Sequence, residues 1–92
     1  MASVVGGNLE TLSSLNSSLK KQADEAMTLK TSIQSAVDSA VWTGANADKF
    51  RAAWDEFKGV FDKLQDELTQ AATDVAHQHN NLALAVGEAV QI

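Results

Sequence analysis

The 92-residue sequence contains no cysteine and no proline, and it has no tyrosine. Lack of cysteine excludes disulfides and thiolate metal ligands. Lack of proline means that no helix interior meets the roughly 3 kcal/mol penalty this residue imposes. Glycine is scarce and confined to Gly6, Gly7, Gly44, Gly59 and Gly87. Basic residues are outnumbered, with 7 Lys and Arg against 12 Asp and Glu, a formal charge of −5. That balance argues against a general nucleic-acid binder, whose footprint is a basic patch, and against attraction to an anionic membrane. No apolar run reaches the roughly 18 residues of a transmembrane span. The opening residues, Met1 to Gly7, lack the basic and long apolar regions of a Sec-type signal peptide.

What remains is rich in Ala, Leu, Lys, Glu, Asp and Gln, the composition of long helices. Alternating steps of three and four pick out Leu12, Leu15, Leu19, Gln22, Ala26, Leu29, Ile33, Ala36 and Ala40, of which only Gln22 is polar. The same steps in the second half pick out Ala47, Phe50, Trp54, Phe57, Phe61, Leu64, Leu68, Ala71, Val75, Gln78, Leu82, Ala85 and Ala89. Only Gln78 interrupts that stripe, and neither half alternates with the period of two that a strand requires. The stripes break at Val41-Trp42-Thr43-Gly44-Ala45-Asn46. Gly44 can take a positive φ and reverse the chain. Asn46 suits an N-cap, with Asp48 favouring the helix dipole, and Asn8 suits the N-cap of the first helix. The reading is one all-α domain over residues 1–92: a helix over about 8–41, a turn at 42–45, a helix over about 46–86 and a short tail. So short a connection makes the helices antiparallel neighbours, an α-helical hairpin.

The outward positions are polar, and Lys58–Asp62 and Lys63–Glu67 are spaced as i,i+4 ion pairs. A lone hairpin leaves one flat side bare, yet Phe50, Trp54, Phe57 and Phe61 fall within four turns. Burying each would contribute roughly 1.5–3 kcal/mol, but only if both sides are covered. A second hairpin is therefore expected to pack on the first as a dimeric four-helix bundle. Its packing and dimer core would draw on Leu19, Leu29, Ile33, Phe50, Trp54, Phe57, Phe61, Leu64 and Leu68. Small residues at Ser18, Ala23, Ser32 and Ser39 permit close helix approach.

Candidate chemistry is thin. His77 and His79 are two residues apart and so point to different helix faces, whereas metal ligation on one face requires a spacing of three or four. They read as solvated or rim histidines. No phosphate-binding glycine loop and no nucleophile elbow occurs. We expect no catalytic residues, no metal, no cofactor and no enzyme activity.

Trp42 lies outside both stripes, in the bend. It reads either as a lid on the end of the bundle or as a recognition feature at its tip, and the two are compatible. Trp42-Thr43-Gly44 is a W-x-G tripeptide midway along a proline-free, acidic chain of two long amphipathic helices. Phe50 and Trp54 follow it by eight and twelve residues. In these features the chain, over about residues 8–86, resembles the WXG100 family, the ESAT-6-like small substrates of type VII secretion. The resemblance implies helical hairpins that pair, as homodimers or with a sister protein, into four-helix bundles. It also implies synthesis in the cytoplasm and export, without a cleaved signal peptide, through a machine driven by a hexameric ATPase. Trp42 would serve export and partner contact, and Gly44 the turn. Many members or their partners carry an aromatic-x-x-x-acid signal after the second helix. Here the nearest echo is Leu84-x-x-x-Glu88, with leucine in place of the aromatic, which points to a sister protein for that half of the signal. A cytoplasmic adaptor or chaperone-type interaction module is the competing reading.

Overall fold

The computed structural model describes residues 7–88 and 90–92 and is helical, with no strand among those residues. Ala89, assigned above to the second stripe, and residues 1–6, read above for a leader, lie outside them. α1 spans Leu9–Ser39, α2 Ala45–Phe57 and α3 Gly59–Ala85. α1 packs along α3, while α2 and α3 follow one another as a nearly continuous second rod. The molecule measures 65 × 20 × 13 Å, two helices wide and one helix deep.

α1 begins as its sequence suggests. Asn8 is extended, and its Oδ1 accepts from the Thr11 N–H at 3.0 Å, satisfying one of the orphan donors of the first turn. The helix ends two residues earlier than expected, at Ser39, because Ala40 is already extended (φ −70°, ψ 125°). The start of α2 corrects the expected cap. Asn46 lies inside the helix, and the N-cap is Gly44, which closes the first turn by accepting from the Asp48 N–H at 3.0 Å. Gly44 sits at φ 111°, ψ 178°, a region essentially restricted to glycine. The chain turns there without any side-chain cap.

The single long second helix is interrupted at Lys58. There the Phe61 N–H reaches the Lys58 carbonyl three residues back, at 3.1 Å. This tightened turn falls at Gly59, where a poor helix former offers no side-chain packing to resist it. The expected Lys58–Asp62 pair is also replaced. Lys30 of α1 binds both carboxylate oxygens of Asp62, at 2.8 and 3.0 Å, and Lys58 turns back to Asp55 at 3.1 Å. A cross-helix partner was closer to Asp62 than its own i−4 neighbour. Lys63 and Glu67 are paired at 3.9 Å.

The seam between the rods is built largely from small residues. Ala23, Ala26, Ala47, Ala72 and Ala83 are buried, along with Trp54. Two polar residues join them. Asn16 donates its amide to the Ala72 carbonyl at 2.7 Å, tying the middle of α3 to α1. His79 is only 2% exposed, so it is not the rim histidine its spacing suggested. Its Nδ1 lies 3.0 Å from Asn80 Oδ1. Trp54 lies over the seam with its indole N–H donating to Gln34 Oε1 at 2.9 Å. Alanines let the helices approach closely, and that closeness brings the polar side chains within reach of their partners.

Candidate functional site

Two neighbouring features stand out: the bend, and the flat face that begins beside it. At the bend, Val41, Trp42 and Thr43 connect α1 to α2 and are all exposed. Trp42 is 45% exposed, and its ring meets Phe50 at a centroid distance of 5.8 Å, tilted by 48°. Arg51 fixes the crossing. Its guanidinium donates to the main-chain carbonyls of Trp42 at 2.8 Å and of Ala40 at 3.3 Å. These carbonyls lie beyond the end of α1, where no helical N–H reaches them. The W-x-G segment is thus held by one side chain from the first turns of α2, while its indole stays open to solvent on one side.

The apolar residues divide into two rows. The row through Leu12, Leu19, Ala26 and Ile33 on α1 meets the row through Ala47, Trp54, Phe61 and Leu68, and these form the intramolecular seam together with the residues four places further on. The row three places further on faces outward. On α1 it runs Leu15, Gln22, Leu29, Ala36; on the second rod it runs Phe50, Phe57, Leu64, Ala71. Because the rods are antiparallel, both outward rows emerge on the same side of the hairpin. Leu15, Leu29, Phe50, Phe57 and Leu64 are each between 42 and 54% exposed. Near the bend the two rows border a shallow groove of about 410 Å³, with Ser32 and Ala36 on α1, Ala40 just beyond its end and Phe50 opposite. Phe57 and Phe61 meet edge to face at 5.6 Å, linking the outward row to the seam, and Phe61 in turn lies 6.0 Å from Trp54. The opposite side of the hairpin is polar, with Lys30, Gln34 and Asp38 along its groove.

The residues anticipated for packing therefore occupy distinct places. Trp54 is buried, and Leu19, Ile33, Phe61 and Leu68 are half-buried in the seam. Leu29, Phe50, Phe57 and Leu64 stand on the outward face. Trp42 and Gly44 form the tip beside it. Covering what remains exposed of each large apolar side chain would contribute roughly 1 kcal/mol apiece.

Sequence reasoning passed over Arg51, Asn16 and Asn80. Arg51 and Asn16 bind main-chain carbonyls, which no side-chain spacing announces. Asn80 holds the far end. Its Nδ2 donates to the Ile92 carbonyl at 3.1 Å and its Oδ1 accepts from the Ile92 N–H at 2.9 Å. The tail reaches it by folding back at Gly87 (φ 78°). There the Glu88 N–H bonds the Ala83 carbonyl at 2.8 Å and the Gly87 N–H bonds that of Leu84 at 3.2 Å, a Schellman ending.

Among the described residues no group of three or more His, Asp or Glu side chains is placed to hold a metal ion, and no helix is long and apolar enough to cross a membrane. Comparison with known proteins gave no match to a family model, to a curated protein or to a solved structure.

Proposed function

We propose that this chain is a non-enzymatic helical-hairpin protein of the ESAT-6-like, WXG100 type. It pairs with a second hairpin, identical or a sister protein, and is exported by a type VII secretion system as a substrate or as the escort of a larger one. The observation that carries this reading is the bend. Trp42 and Gly44 form the tip between two long antiparallel rods, Gly44 in a conformation that glycine alone adopts readily. The Trp42 indole is 45% exposed on a segment whose main chain Arg51 holds, so it offers a partner a large, fixed apolar surface. The outward apolar face beside it supports pairing, since Leu15, Leu29, Phe50, Phe57 and Leu64 remain 42–54% exposed along it.

Fractionation tests the reading. The protein is expected in the culture supernatant of its native cell, dependent on the export ATPase. Trp42→Ala is expected to abolish release while the helix content is kept. Strict retention in the cytoplasm with all natural partners present would overturn the export reading and favour an adaptor. Melting of the Trp42→Ala variant would make Trp42 a packing residue instead.

A further inference from the structure

We propose that the outward face is built for a hairpin of different sequence, one with an apolar face flanked at mid-length by Lys or Arg, rather than for a second copy of this chain. The inference rests on the pairing proposed above and names the partner's chemistry. Its ground is where the charges on that face lie. Glu25 follows Gln22 by three residues and precedes Leu29 by four, and Glu67 stands in the same relation to Leu64 and Ala71. Both carboxylates therefore flank the apolar rows on the outward side. The cross-helix bonds Asn16–Ala72 and Lys30–Asp62 bracket them, so Glu25 and Glu67 stand at one height. That height is close to the middle of α1 and of the second rod.

The position matters because of symmetry. Any two-fold pairing that overlaps the full length of two copies lays middle upon middle, whichever way the bends point. The four carboxylates would then meet in like-charged pairs along the two edges of the interface. The nearest bases, Lys21 and Lys63, reach Glu25 and Glu67 only at 3.9 Å, from the edge turned away from the face, and are more than 70% exposed. The third acid flanking the rows, Asp74, has no base at its side; Gln70 donates to it at 3.2 Å. Like charges facing each other oppose self-pairing, and opposite charges at the same height would fix the register of a foreign partner.

A charge-reversed copy of the chain serves as the test partner. The probe is Glu25→Lys/Glu67→Lys, both exposed positions, with its folding checked by circular dichroism. Sedimentation at low salt and neutral pH is expected to show about tenfold tighter association in an equimolar mixture of wild type and this variant than in either alone. In 1 M salt the difference should vanish. A control, Asp24→Lys/Asp66→Lys, makes the same change of net charge on the opposite face and should give no such preference. Wild type that dimerises as tightly alone as in the mixture would overturn the inference, as would a mixture that stays monomeric or a control that pairs equally well. Export of the wild type is scored separately, so failure of this inference leaves a distinct signature from failure of the secretion reading.

Discussion

The guanidinium of Arg51 donates to the main-chain carbonyl of Trp42 at 2.8 Å, across a bend to which no other side chain hydrogen-bonds. One residue seven places after Gly44 therefore governs how the indole is presented. Charged donors to carbonyls contribute more than neutral ones, and this donor also reaches Ala40.

Arg51→Ala should speed amide exchange over residues 41–46, leave α3 protected, and lower unfolding free energy by about 1 kcal/mol. Arg51→Lys should recover little of this, since a single ammonium lacks the fork that spans two carbonyls. Hydrogen-exchange mass spectrometry would read both. Unchanged exchange in the bend of Arg51→Ala would remove the pinning role.

The two positive-φ glycines among the described residues should respond differently to substitution. At Gly44 an added Cβ meets nothing within 4 Å, so Gly44→Ala incurs only backbone strain, about 1–3 kcal/mol. Gly44→Asn should be no better, because φ 111° with ψ 178° is far from the left-handed helical region that asparagine tolerates. At Gly87, φ 78° in a Schellman ending, Asn should be distinctly milder than Ala. Urea unfolding followed by circular dichroism would rank the four variants.

The Lys30–Asp62 pair is partly open to solvent, with side-chain exposures of 24 and 50%. A double-mutant cycle with alanine at both positions should return a coupling below about 1 kcal/mol. High salt should reduce it further. A larger coupling that resists salt would mean that the bridge is more shielded than its exposure suggests.

Asn80→Ala should free the tail, and it also removes the partner of the buried His79 Nδ1 in the seam, at a cost of about 1–3 kcal/mol. Loss of two hydrogen bonds to Ile92 should raise exchange at the Ile92 amide and quicken proteolysis beyond Gly87, with helix content constant. Retained protection in Asn80→Ala would show that apolar contacts, not the amide clamp, hold the tail.

How much of this was legible beforehand varies by residue. Asn8 was, because a cap needs only local spacing, and so was Gly44 as the point of reversal. The hairpin followed from stripes that break once. The division of each stripe into an inner and an outer row was not, because three-four spacing marks a broad face without saying which half turns inward. Alanine at 23, 26, 72 and 83 decided it: close approach of α1 and α3 along those positions left Leu15 and Leu29 outside and drew Asn16 and His79 in. Asp62 showed the same blindness, since spacing along one helix cannot reveal a lysine waiting on the other.

A folded plate with a cross-section of 20 by 13 Å has one further consequence. A globule of the same chain length would be about 30 Å across in every direction. Moving lengthwise, this molecule fits an aperture that would stop such a globule, and it need not unravel to do so.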